Sequence, residues 1–222
     1  MRVIAFNGSP RKKGATATLL RKALEGAASE GAETELIDLD DMSIRGCQAC
    51  FSCKKRGGRS YGRCIQRDGM APLYGRVEEA AALFFGSPVY FGGVTAQAKL
   101  FIDRLYPYLN YATHSSNLPR RIPVGLVFTM AAPHEHMETR YLPLIQTTER
   151  VFSMLLGPTE TLVSVDTFHV PDYTKIVADS MEALVPRKLK HRKEVFPRDC
   201  QKAFDMGARL VGRCAGLQIP RE

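Results

Sequence analysis

Short apolar runs alternate with helical stripes along this chain. Val3–Phe6 is an apolar run closed by Asn7-Gly8-Ser9-Pro10, the pattern of a buried strand that ends in a turn. From Gly14 to Gly31 the period lengthens. Leu20, Leu24 and Ala28 recur every four residues beside Ala23 and Ala27, which makes one face of an amphipathic helix. Glu33–Leu39 alternates around Leu36 and Ile37 and predicts a second strand. A helix is predicted from about Asp68, with Asp68 as its N-cap and Met70, Leu73 and Val77 on one face. Ala81–Gly86 is continuously apolar, as expected of a parallel strand covered on both faces. The pattern then predicts a helix over Thr95–Leu105, a strand over Ile122–Thr129, a helix over Tyr141–Leu156, a strand over Thr161–Phe168 and a last helix over Arg198–Ala215.

Strands followed by helices, five times over, predict right-handed βαβ units and an α/β fold with a doubly wound five-stranded parallel sheet. The order 2-1-3-4-5 suits five strands and places a ligand crevice beyond the carboxyl ends of strands one and three. The chain reads as a single domain, 1–222, with a cysteine-rich insertion at 43–67 and a C-terminal extension at 169–222. The part of that extension from Pro171 to Pro197 is basic and contains prolines.

Composition narrows the partners. No run reaches the ~18 apolar residues of a membrane span, so no membrane association is expected. The N-terminal apolar run is too short for a signal peptide, and the expected location is cytoplasmic. The net charge of +8 fits nucleic acid, anionic small molecules or a solvated basic surface. Much of the excess lies in Lys54–Arg67 and Arg187–Lys193, and neither carries a DNA-reading motif, so nucleic acid is not an expected partner.

Three segments carry chemistry. Gly8–Thr18 joins strand one to helix one. Its glycines allow close approach, its helix N-terminus offers free amides, and Ser9, Arg11, Thr16 and Thr18 offer further donors, a combination that suits a phosphate. It is neither a Walker loop nor G-x-G-x-x-G; an ordinary capped turn is the alternative. Gly86-Ser87-Pro88-Val89-Tyr90-Phe91-Gly92-Gly93 follows strand three and has the aromatics and glycines to wall a flat ring, or to pack as a turn. Cys47-x2-Cys50-x2-Cys53 is followed by Cys64 after ten residues. In a reducing compartment such a cluster suits a four-iron centre, a structural zinc or free thiols. Cys200 and Cys214 on the last helix read as core thiols, and His134-Glu135-His136 as a solvated loop.

The stretch GSPRKKGATATLL resembles the phosphate loop G-S-P-R-x-x-G-x-T of the flavodoxin-like NAD(P)H-dependent FMN reductases, matching at Gly8, Ser9, Pro10, Arg11, Gly14 and Thr16. Ala15 stands where that family commonly has Asn. The block from Ser87 to Arg104 is similar to the family's S-P-V-Y-F…Q-x-K-x-F-I-D-R. The compact cysteine motif after strand two resembles that of the iron–sulfur flavoproteins, with Asp68-Gly69-Met70 in place of their D-D-M and about twice their usual spacing before the fourth Cys. The resemblance implies a flavodoxin-like fold and FMN bound by Ser9, Arg11, Gly14, Ala15 and Thr16, by Pro88, Val89, Tyr90, Phe91 and Gly92, and by Thr129 through its place at the end of strand four. It implies a 4Fe-4S cluster on Cys47, Cys50, Cys53 and Cys64, no catalytic side chain, NADPH or NADH as reductant, an electron-transfer partner such as ferredoxin, and a homodimer or homotetramer. The alternatives are a flavodoxin-like electron carrier without NAD(P)H activity and a zinc-stabilised module without flavin.

Overall fold

The computed structural model describes residues 1–168, 170, 172–177 and 179–216. Its central sheet is built from β1 (Arg2–Asn7), β2 (Glu33–Asp38), β3 (Ala82–Tyr90), β4 (Val124–Thr129) and β5 (Thr159–Ser164). They are parallel in the order 2-1-3-4-5, the flavodoxin-like arrangement. Connecting them are α1 (Ala15–Ser29), α2 (Ala71–Glu79), α3 (Ala96–Asp103) and α4 (Leu142–Leu155); α5 (Val185–Glu194) and α6 (Phe196–Gly216) follow β5.

Strand alternation divides the core in two. Val3 and Ala5 of β1 face α1 and α6, where they meet Leu20, Leu24, Met206 and Leu210. Ile4 and Phe6 face the other way, toward Leu73, Val77, Phe101 and Phe152. The pairing of α1 with α6 rests on glycine. A Cβ on Gly26 would stand 1.9 Å from the Phe204 carbonyl oxygen, and one on Gly207 1.9 Å from that of Ala23. The two backbones touch because neither residue has a side chain.

Four boundaries differ from the sequence pattern for identifiable reasons. The α2 helix starts at Ala71, and Asp68 is drawn away into a buried ion pair described below. Thr95 caps α3, its Oγ1 accepting from the Ala98 amide at 3.2 Å. The β3 strand continues past Gly86 to Tyr90 and folds back as a hairpin, Val89 opposite Val94 and Tyr90 opposite Gly93. Its tip, Phe91-Gly92, has two positive φ angles of 49° and 78°, the twist that two-residue hairpins favour. The β5 strand runs Thr159–Ser164 rather than Thr161–Phe168, because Asp166 turns left-handed (φ 51°) and the chain bonds back to Ala132 and Met130.

The basic C-terminal stretch holds a correction too. Arg187–Lys193 belongs to α5, and Lys188 within it is fully buried. His169, Pro171, Ala178 and residues 217–222 of the C-terminal extension lie outside the described residues. The His134–His136 segment is an exposed helical turn rather than a loop. Cys200 and Cys214 are half-buried against the α1/α6 core, and burial pushes both thiols up. Among the described residues no helix is long and apolar enough to cross a membrane.

Candidate functional site

The carboxyl ends of β1, β3 and β4 converge, as doubly wound topology requires. Gly8 leaves β1 with its amide bonded to the Gly86 carbonyl at 2.8 Å, while Thr95 Oγ1 donates to the Gly8 carbonyl at 2.5 Å. A Cβ on Gly8 would lie 2.7 Å from that of Ala98, so only glycine lets the loop settle against α3. Asn7 fixes the next turn: its Oδ1 accepts from the Ser9 amide, and its Nδ2 donates to Asp38 Oδ1 at 2.7 Å. Ser9 Oγ accepts from the Arg11 amide at 3.1 Å, and the Gly14 amide closes onto the Arg11 carbonyl.

That loop delivers a bare helix end. Gly14 is the N-cap of α1 and offers no side-chain cap, and the first turn holds no acid. The leading amides of an α-helix have no intrahelical acceptor, so an uncapped, acid-free end favours an anion. Arg11, Lys12 and Lys13 stand around it, Lys12 held by Asp41 at 2.7 Å. This end fits the phosphate of FMN. Ala15 contributes backbone only, and Thr18 Oγ1 is spent on the Gly14 carbonyl.

Thr16 is buried and turns inward, its Oγ1 2.8 Å from Thr129 Oγ1 at the end of β4. Thr129 lies opposite Pro88 in the β3–β4 register. The structure thus brings Thr16, Pro88 and Thr129 together. Beyond Pro88 the hairpin projects outward, with Tyr90 half-exposed and Phe91 fully exposed. Ser87 Oγ ties its base, accepting from the Thr95 amide at 3.1 Å and donating to the Pro88 carbonyl.

The insertion between β2 and α2 wraps its four cysteines around one narrow cavity of about 20 Å³. Cys47 and Cys50 are exposed at its mouth, and Cys53 and Cys64 are partly covered. Ala49 and Phe51, on either side of Cys50, both have positive φ (50° and 56°). Such strain in non-glycine residues costs roughly 1–3 kcal/mol each and collects at ligand clamps. The Gly62 amide bonds to the Cys53 carbonyl at 2.9 Å, which folds the long Cys53–Cys64 segment back and puts Cys64 beside its fellows. Hydrogen bonds from Ser52 lower the Cys50 thiol, whereas burial raises that of Cys53. Lys54 pins the loop through its Nζ, which donates to the carbonyls of Tyr106 (2.7 Å), Pro107 (3.2 Å) and Leu109.

Arg104, the last residue of the block from Ser87, holds the cysteine insertion, a role that no local pattern signals. It is 1% exposed. Its guanidinium grips Asp68 Oδ2 at 2.6 Å and Oδ1 at 3.2 Å, donates to the Arg45 carbonyl at 2.7 Å and reaches Cys64 Sγ at 3.4 Å. Asp68 also accepts from the Arg45 amide at 2.8 Å. This pair ties both ends of the insertion to the end of α3. Among the described residues no three His, Cys, Asp or Glu side chains converge to hold one metal ion. All four cysteine residues line one cavity instead. A four-iron cluster takes one thiolate on each iron, so these residues supply its donor set, and the cavity, with room for about one water, would have to open to admit it.

The model of the NADPH-dependent FMN reductase family matches residues 1–144. The chain belongs to that family. Its matched half resembles the iron–sulfur flavoproteins: it is 43% identical over 107 residues to one from Methanocaldococcus jannaschii, covering 48% of this chain and 53% of the relative. A second, from Archaeoglobus fulgidus, is 40% identical over 108 residues, covering 49% and 47%. The chain thus spans about half the length of the curated relatives it matches. Among solved structures, the NAD(P)H:quinone oxidoreductase from Methanothermobacter marburgensis superposes with a TM-score of 0.68 at 16% identity, covering 95% of this chain and 98% of that one, which agrees with the fold. The chain beyond residue 144 lies outside the residues matched by the family model.

Proposed function

We propose that this chain is an FMN-dependent oxidoreductase that takes electrons from NADPH or NADH at a flavin and passes them on through a 4Fe-4S cluster. The observation that carries the reading is the pairing of an uncapped, acid-free helix end at the mouth of the parallel sheet with four thiols lining one cavity. FMN, when bound, supplies two-electron hydride acceptance and single-electron release, and a cluster supplies one-electron transfer. The chain's own residues bind and position. Arg11 and the first amides of α1 would hold the phosphate. The Thr16–Thr129 hydroxyl pair and Pro88 would shape the floor under the ring, and Val89 to Gly92 its wall. Cys47, Cys50, Cys53 and Cys64 would hold the cluster, with the Arg104 N–H keeping Cys64 in place. No side-chain acid or base is required. A cytoplasmic, reducing setting suits four free thiols. A ferredoxin-like acceptor and a homodimer or homotetramer complete the proposal. Phe91, Phe51 and Tyr111 are among the exposed apolar side chains that such partners could meet.

Mixing the oxidised protein with NADPH or NADH without oxygen tests the activity. Rapid bleaching of the flavin is expected. Bleaching by dithionite or reduced ferredoxin alone would make the protein an electron carrier instead.

The loop geometry refines one mutational expectation. Ser9 Oγ shapes the loop by accepting from the Arg11 amide, and Thr16 is paired with Thr129. Ser9→Ala with Thr16→Ala should weaken FMN binding by roughly 1–3 kcal/mol, through a slackened loop and unpaired Thr129. Fluorescence titration of the double variant with FMN measures this, and an unchanged affinity would move the phosphate away from this loop.

A further inference from the structure

Lys188 lies on α5, beyond the residues matched by the family model, and is fully buried. Burial strips an ammonium of its hydration, so a lysine in the interior needs partners that replace it. Here Nζ donates to the carbonyls of Ala131 at 2.6 Å and Thr167 at 3.3 Å, and it stands 3.6 Å from Asp166 Oδ1. Those partners match the three N–H bonds of the charged form. Asp166 is shared with Arg187 at 2.7 Å, so two cations face one carboxylate.

The carbonyl that Lys188 grips belongs to the segment leaving β4, two residues beyond Thr129. Its neighbours are held as well. The Met130 carbonyl accepts from the Thr167 amide at 3.0 Å, and the Ala132 carbonyl accepts from the Asp166 amide at 2.9 Å. Three successive carbonyls are thus engaged by the turn after β5 and by α5. The amides of the same segment are not. Among the described residues neither the Ala131 nor the Ala132 N–H donates to a protein acceptor, and both residues are partly exposed. A trans peptide points its N–H opposite to its C=O. Gripping the Ala131 carbonyl from the buried side therefore turns the Ala132 N–H the other way. A cation on the carbonyl also polarises the peptide and strengthens that N–H as a donor.

We propose that Lys188 is a positioning residue for the flavin: it fixes and polarises the Ala131–Ala132 peptide, and its charge behind that peptide favours the reduced ring over the oxidised one. The inference rests on the flavin reading above. A hydride carries two electrons and one proton, so its uptake leaves one extra negative charge on a neutral ring. A fixed cation and a preset N–H favour that charge without reorganisation. The C-terminal extension thereby sets the potential of a flavin whose other contacts come from the matched part of the chain.

Spectroelectrochemical titration of the FMN-loaded full chain reads that potential at the flavin band. Two variants change the local charge in opposite senses. Lys188→Met removes the cation and keeps most of the apolar stem. Asp166→Asn removes the carboxylate beside it, and Asn accepts the left-handed backbone there (φ 51°). Lys188→Met is expected to cost the reduced flavin about tenfold more affinity than the oxidised flavin, which lowers the potential by about 30 mV for the two-electron couple. Asp166→Asn is expected to raise it. A merely structural role would weaken both flavin forms alike and leave the potential in place. Opposite shifts support the proposal, and any other pattern overturns it. Should Lys188→Met not fold, Asp166→Asn decides alone: a raised potential supports the proposal, and an unchanged or lowered one overturns it. Wild type that takes up no FMN removes the flavin reading and this inference with it, whereas a wild type that binds FMN beside variants of unchanged potential overturns this inference alone.

Discussion

Asp68→Ala is expected to lower the unfolding free energy by about 3–5 kcal/mol, because it strands a buried guanidinium. Arg104 and Asp68 are 1% and 4% exposed at the side chain. With the carboxylate gone, Arg104 keeps the Arg45 carbonyl and the Cys64 sulfur as acceptors but loses the carboxylate that balances its charge. Arg45 loses the acceptor of its amide as well. Urea unfolding monitored by circular dichroism measures the loss. The double variant Asp68→Leu/Arg104→Met should recover much of it, since removing both charges removes the desolvation cost along with the attraction. The pH dependence has a definite sign. Burial alone would raise the Asp68 carboxyl, but the hydrogen bonds from Arg104 and the Arg45 amide outweigh it and hold the group below the usual carboxylate range. A depressed carboxylate stabilises fully above the unfolded value near pH ~4 and loses that contribution as pH falls through the lower folded value. Wild type should therefore lose stability on acidification in that window more steeply than Asp68→Ala. Equal slopes and a loss under ~1 kcal/mol would show that the pair does not anchor the insertion.

The second large effect is steric. Gly207→Val should destabilise by an amount at or above the ~1–3 kcal/mol typical of overpacked cores, because the new side chain meets backbone rather than a flexible neighbour. The Cβ alone would sit 1.9 Å from the Ala23 carbonyl oxygen and 2.9 Å from the Ala27 nitrogen. Relief requires α6 to move off α1, which uncovers Leu20, Ala23, Met206 and Leu210 together. Gly212→Ala in the same helix is the control. Among the described residues nothing outside its own helix lies within 4 Å of its Cβ position, so the variant should be neutral or stabilising by up to ~1 kcal/mol through helix propensity. Thermal melts should place the two variants on opposite sides of wild type or nearly so. A Gly207→Val protein as stable as wild type would mean that the helices are not in backbone contact.

What could be read from the chain follows the range of the forces involved. The β1 and β4 strands and the first half of β3 are runs of apolar residues, and the stripe of α1 repeats every turn; these patterns are local, and the elements lie over them, with β3 running on past Gly86 to Tyr90. The phosphate loop and the cysteine cluster are likewise compact in sequence. The Asp68–Arg104 pair was not legible, because its partners lie 36 residues apart and Asp68 is equally suited to capping a helix. The burial of Lys188 was hidden for a similar reason. Its stretch is so charged that it reads as solvated surface, and its acceptors are main-chain carbonyls of two other segments, which no side-chain pattern reveals. The hairpin at Tyr90–Gly93 was masked by the glycines and proline that suggested an open loop. The early start of β5 follows its register with β4, Val124 opposite Thr159, and its early end follows the left-handed turn at Asp166; both are set across the sheet rather than along the strand.

The most direct test of the central claim is purification without oxygen, followed by a visible spectrum and assays of iron and acid-labile sulfide per chain. The account predicts a flavin spectrum over a broad brown absorbance, with about four iron and four sulfide for each chain. A colourless protein that takes up no FMN would contradict it, and a clean flavin spectrum without iron would contradict the cluster on Cys47, Cys50, Cys53 and Cys64.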